Sequence, residues 1–148
     1  MNTLRPNDFF LGEDSPATVE PSNGLLVVKM PVDSLATINS VLSIPADWEG
    51  DSVRVNVLYQ SSGDPAIASM NVRLDSWSDS SGPVTGVVNT VSTDVESINP
   101  MIVRSTTAIV EVPEGFAAGG RLVLMLYPNV SGITEGYLPK IVGVEYSI

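Results

Sequence analysis

The chain predicts an all-β fold, an antiparallel β-sandwich of jelly-roll type with about eight strands and an extended N-terminal arm. Three observations predict it. Apolar and polar residues alternate at period two over much of the chain, the pattern of half-buried strands. No stretch carries a sustained helical period with caps. One corner device occurs twice: Ile44-Pro45 with Trp48 and Gly50, and Val112-Pro113 with Phe116 and Gly119. In each, a strand ends in a β-branched residue and proline, an aromatic follows three residues after the proline, then glycine, then a new apolar strand. Proline blocks further ladder pairing, the aromatic can plug the end of a core, and glycine permits the bend. Two such crossings fit the two Greek keys of a jelly roll.

Residues 1–23 read as the arm. They hold Pro6, Pro16 and Pro21 and one apolar cluster, Phe9-Phe10-Leu11. Two adjacent phenylalanines in a polar segment favour docking, on this domain or on another subunit. Phe9, Phe10 and Leu11 are therefore the expected partner-binding anchors. The segment has no apolar h-region and does not read as a secretory signal.

Residues 24–148 read as the sandwich. Gly24–Met30 is a strand closed by Pro31. Thr37–Ile44 puts Ile38, Ser40, Leu42 and Ile44 on one face and Val41 on the other. After the first corner, Ser52–Gln60 sets Val53, Val55, Val57 and Tyr59 against Arg54, Asn56 and Leu58. The polar run 61–65 is a turn by composition. Ala66–Trp77 sets Asn71 and Arg73 against Met70, Val72 and Leu74. Ser76–Gly82 reads as a loop. Val84–Val91 is a strand in which Gly86 marks a bulge, and Ser92–Pro100 is polar. Met101–Val112 is a long β-branched strand leading into the second corner. Leu122–Tyr127 is apolar on both faces, which predicts a central strand covered on both sides. Pro128–Gly136 is a loop, and Tyr137–Ile148 closes the chain.

At 148 residues the chain is one domain with room for a two-layer core. Seventeen acids against 7 bases leave a net charge of −10. That argues against nucleic acid, whose phosphates need Lys and Arg, and against anionic membrane surfaces. No run approaches the ~20 apolar residues of a membrane-spanning helix. The chain has neither cysteine nor histidine. Disulfides, thiolate metal sites, cysteine nucleophiles and the commonest general base are thereby excluded.

No motif points to catalysis, and no cofactor is implied. Asp47, Glu49 and Asp51 alternate around Trp48 without the spacing of a calcium loop, and read as a solvated corner. Asp75 with Asp79, and Asp94 with Glu96, are weaker acid pairs. Glycoside hydrolysis needs two carboxylates, and none of the 17 acids sits in a recognisable motif. Aromatic faces stack on pyranose rings. Trp48 is better explained as a cap on the core. Trp77, where a strand enters a polar loop, and Tyr137 are the candidate glycan contacts.

The two corners also carry a resemblance. Leu42 to Tyr59 (Leu-Ser-Ile-Pro-Ala-Asp-Trp-Glu-Gly-Asp-Ser-Val-Arg-Val-Asn-Val-Leu-Tyr) resembles the opening of small β-sandwich structural proteins of tailed-phage virions. Phe116 to Tyr127 (Phe-Ala-Ala-Gly-Gly-Arg-Leu-Val-Leu-Met-Leu-Tyr) and the last strand Ile141-Val-Gly-Val-Glu-Tyr are similar to their closing strands. The resemblance spans roughly Thr37 to Ile148 and is one of strands and corners. It implies a non-enzymatic virion component, assembled in the host cytoplasm, commonly a trimer, whose partner is the major capsid protein or another virion protein. The first expectation is a capsid decoration (cement) protein stabilising the head through subunit contacts. The alternative is a tail-fibre or receptor-binding tip that recognises host-surface glycans.

Overall fold

In a computed structural model of the protein, residues 2–11, 17–22, 24–29, 37–60, 67–78, 82–96, 103–129 and 140–148 are described. They form ten strands: β1 Asn2–Leu4, β2 Thr18–Ser22, β3 Leu25–Lys29, β4 Ile38–Ser43, β5 Ser52–Gln60, β6 Ile67–Ser78, β7 Gly82–Glu96, β8 Val103–Glu111, β9 Arg121–Asn129 and β10 Lys140–Ser147. One sheet runs β2-β3-β10-β5-β8, with β1 also on β10. The other runs β4-β9-β6-β7. Every pairing among them is antiparallel. The all-β antiparallel sandwich is therefore the observed architecture.

The alternation read from the sequence is what fills the core. Val53, Val55, Val57 and Tyr59 of β5 face inward, as do Ile38, Leu42 and Ile44 around β4 and Met70, Val72 and Leu74 of β6. Leu122, Leu124 and Leu126 of β9 meet them with no exposed surface. Each such large apolar side chain contributes about 1.5–3 kcal/mol by leaving water. Buried Ser40 lies on the same side of β4, and its hydroxyl donates to the Asp8 carbonyl at 3.2 Å.

The paired corners touch. The first carries the chain from β4 to β5, the second from β8 to β9, so each passes from one sheet to the other. In both, the aromatic N–H donates to the proline carbonyl: Trp48 to Pro45 at 3.2 Å, Phe116 to Pro113 at 3.1 Å. Each corner also holds the other. Ile44 N–H donates to Gly120 O at 3.1 Å, Val112 N–H to Asp51 O at 2.9 Å, and Gly119 N–H to Pro45 O at 3.2 Å. The Trp48 and Phe116 rings meet edge to face, 6.3 Å between centroids, and pack against the end of the core. Gly119 has φ +87°, a left-handed conformation that glycine adopts without steric cost.

The N-terminal segment departs from the expected arm. β1 pairs with β10, from Asn2↔Tyr146 to Leu4↔Val144, and β2 pairs with β3 across five positions. Phe9 is 7% exposed and belongs to the domain's own core, while Leu4 and Leu11 pack against it. The boundary at residue 23 thus does not separate an arm from a sandwich. Phe9 is no anchor for a neighbour, because its ring is already buried in this domain's core. Gly143, where β10 shifts register against β5, lets β1 approach: a Cβ there would lie 3.0 Å from Leu4 O.

β7 is longer than predicted, taking in residues 92–96 and Gly82, the end of the expected loop, whose start at 76–78 belongs to β6. Its bulge falls where Gly86 predicts it. Leu74 pairs with Asn89 and Ser76 with Val84, so a two-residue step on β6 faces a five-residue step on β7 that contains Gly86. The expected turn at 61–65 lies outside the described residues.

Candidate functional site

Strand alternation sends half of each β4, β9 and β6 residue set away from the core, onto the outer face of the four-stranded sheet. Register decides which of these become neighbours. Arg121 of β9 pairs with Trp77 of β6. Val123 lies between Val41 of β4 and Asp75 of β6, and Met125 between Asn39 and Arg73. Seven of these residues, Arg121 among them, and one other, Phe10, do not spread flat. Asn39, Val41, Asp75, Trp77, Val123 and Met125 line a groove with Arg121 and Phe10, about 470 Å³ in volume. That is within the ~300–1,000 Å³ range of small-molecule sites.

The groove floor is apolar and nearly dry: Val123 is 5% exposed although it faces away from the core. The expectation that β9 is covered on both faces holds toward the core; on its outer face Val123 is buried while Met125 is half-buried and Arg121 exposed. Asp75 is the buried charge of the site, 2% exposed, with its Oδ1 2.9 Å from Arg73 Nε. The two lie two residues apart on one strand face. Asn39 brings an amide whose Oδ1 is buried and has no hydrogen-bond partner among the described residues. Such an orphaned acceptor costs about 1–3 kcal/mol.

Phe10 reaches the groove through the backbone. Its N–H donates to Asn39 O at 2.7 Å, and Asn39 N–H donates to Phe10 O at 3.1 Å, an antiparallel bridge on the edge of β4. Bridged residues point to the same side of a sheet, so Phe10 follows Asn39 outward while Phe9 turns into the core. The adjacent phenylalanines therefore have opposite fates, and Phe10 is 66% exposed.

Chemically, the site offers an apolar floor, an indole at one end, a phenyl ring at the other, and a few fixed polar groups between. That is the composition of a site that binds an amphipathic ligand: ring faces for its apolar side, polar groups for its hydroxyls. A second, smaller depression of about 350 Å³ lies on the other sheet, lined in part by Arg54, Asn56, Thr107 and Glu145. There Thr107 Oγ1 donates to Asn56 Oδ1 at 3.0 Å and Asn56 Nδ2 to Glu145 Oε2 at 3.2 Å, so its polar groups largely pair with one another.

Of the residues singled out from sequence, Trp77 and Phe10 both line the groove. Phe9 is core, Leu11 packs against the core, and Tyr137 lies outside the described residues. Trp48 is the end cap of the core. Asp47, Glu49 and Asp51 are exposed, and among the described residues no group of three metal-ligating side chains converges. Sequence reasoning missed Asn39, Asp75, Arg121 and Met125. The signal present was the outward alternation Arg73-x-Asp75-x-Trp77, but the residues facing it come from strands whose register no local pattern declares.

No family model matches the chain, and no curated protein matches it. Solved structures do, in fold. The CBM22-2 xylan-binding domain of Paenibacillus barcinonensis Xyn10C superposes with a TM-score of 0.57 at 14% identity, covering 99% of this chain and 98% of that one. TmCBM61, solved with β-1,4-galactotriose, gives 0.52 at 14% identity over 94% of this chain and 87% of that one. A structure from a study of promiscuous carbohydrate-binding modules of the β-sandwich superfamily gives 0.53 at 12% identity, covering 97% of this chain and 58% of that one. These three neighbours are carbohydrate-binding modules and not virion proteins. At such identities the likeness is one of fold: a small all-β sandwich.

Proposed function

We propose that the protein is a glycan-binding module and that the Trp77 groove is its binding site. The observation that carries this reading is the pairing of an aromatic with a shaped, largely apolar trough and a few immobilised polar groups on one sheet face. A pyranose ring is apolar on its C–H faces and polar at its rim. It would lie against the Trp77 indole while its hydroxyls meet the Asn39 and Arg121 side chains. The shared fold with carbohydrate-binding modules supports the same choice over capsid cementing.

The net charge of −10 disfavours polyanionic polysaccharides and favours neutral ones. Binding without turnover is the better reading of the groove. Glycoside hydrolysis uses two carboxylates, and Asp75, the carboxylate among the described lining residues, is engaged by Arg73. If the chain belongs to a virion, as its resemblance implies, the groove suits a tail-fibre or receptor-binding tip that recognises host-surface glycans.

The experiment is a glycan array with affinity electrophoresis on xylan, β-1,4-galactan and a uronate polymer. Retention on a neutral polysaccharide, lost in Trp77→Ala, supports the reading. Failure to bind any neutral glycan, or binding indifferent to Trp77→Ala, overturns it.

A further inference from the structure

We infer that Phe10 and Asn39 form a second sugar subsite at the far end of the groove, so that the module selects oligosaccharide chains over single sugars. The inference rests on the glycan reading of the groove and specifies how much of a chain the groove holds.

Three observations meet at this end. Phe10 presents an exposed ring, although its neighbour Phe9 is buried and a core position was within reach of the same segment. Both backbone hydrogen bonds of the Phe10–Asn39 bridge fix its backbone and so the side of the sheet from which the ring projects. Asn39, its bridge partner, lines the same groove and carries the buried acceptor that lacks a donor among the described residues. An apolar ring face beside an unfilled hydrogen-bond acceptor matches the two halves of a sugar: a C–H face and a hydroxyl donor.

The spacing excludes a single ring from both ends. Asn39 is in line with Met125 and Arg73, and Trp77 lies four residues beyond Arg73 on β6. From β6 to the Phe10 bridge the chain crosses β9 and β4. Three inter-strand steps and four residues of rise separate the Trp77 and Phe10 backbones by about 20 Å. No monosaccharide spans that, whereas a linear chain of several pyranoses does. Trp77 would hold one ring and Phe10 another, with the Val41–Val123–Met125 floor between them.

The Phe10 subsite is tested with mono-, di-, tri- and longer oligosaccharides of β-1,4-galactan and of xylan, titrated calorimetrically into the full chain and into Phe10→Ala, Phe10→Tyr and Asn39→Ala. The expected result is affinity that climbs with chain length in the native protein. Phe10→Ala should weaken the longer chains about tenfold, the size of one aromatic contact, and leave the shortest ligand unchanged. Phe10→Tyr should restore the climb, and Asn39→Ala should flatten it. Thermal unfolding of Phe10→Ala should match the native protein, since the bridge uses backbone atoms. Should length dependence survive Phe10→Ala intact, the second subsite is wrong while the Trp77 site stands. Should the native protein bind none of the ladder, the glycan reading itself falls and the subsite with it.

Discussion

Arg73 Nε and Asp75 Oδ1 lie 2.9 Å apart on the outward face of β6, the guanidinium side chain 24% exposed and the carboxylate side chain 2%. The two are spaced by one inward residue, Leu74, which is fully buried in the core. The pair thus sits directly behind a packed strand, and Asp75 lines the groove. The two partners have little water to fall back on. Removing either side chain leaves a charge with poor solvation, which costs more than the pair itself contributes.

Asp75→Ala should therefore lower stability by about 3 kcal/mol in urea unfolding. Replacing both residues together, Arg73→Leu with Asp75→Leu, should cost clearly less than Asp75→Ala. A single variant indistinguishable from the native protein would show that the ion pair does not matter to the fold.

Trp48 and Phe116 join the two corners across the end of the sandwich. Their edge-to-face contact should appear as a coupling of about 0.5–1.5 kcal/mol in a Trp48→Ala, Phe116→Ala double-mutant cycle. Gly50→Ala should mimic part of that loss, because its Cβ would fall 2.5 Å from the Trp48 ring and push the indole aside. Additive single effects would mean the corners stabilise the fold independently.

Gly143 is the point where β10 takes β1 as a neighbour. Gly143→Ala places a Cβ 3.0 Å from Leu4 O, a backbone atom that can move only with β1. The expected outcome is a loss of about 1–2 kcal/mol from overpacking. It should come with faster amide exchange along 2–4 and little change in β5. Unchanged exchange at β1 would place the cost elsewhere.

Tyr146 lies on β10 against the core, and burial raises its phenol above the ordinary 10.0. The neutral phenol is thus favoured in the folded state. Stability from this group is complete below pH 10.0 and is lost as pH rises through the raised value. Alkaline denaturation should be shifted upward in Tyr146→Phe, which has nothing to ionise. Equal pH profiles would remove the effect.

The strands were legible because their alternation is local. Val53 to Tyr59 and Ile38 to Leu42 announce one buried face each, and both faces are buried as read. The corners were legible because proline, an aromatic and glycine act within a few residues. The N-terminal segment was misread for the same reason. Phe9-Phe10-Leu11 states that something must be covered, but not whether the cover is the chain's own core. Trp77 could be picked out as a candidate, whereas Asn39, Asp75 and Arg121 could not be joined to it.

The sequence by itself determined that this protein is a sandwich of antiparallel strands, closed at one end by two matched corners. Period-two burial and the backbone restrictions of proline and glycine act over short spans and leave few other outcomes. Only the tertiary structure decided that β4, β9 and β6 lie side by side in the register that forms the groove. It also decided that one of two adjacent phenylalanines enters the core while the other borders the site. Those outcomes depend on pairing between residues far apart in the chain, whose energy comes from contacts that no local stretch contains.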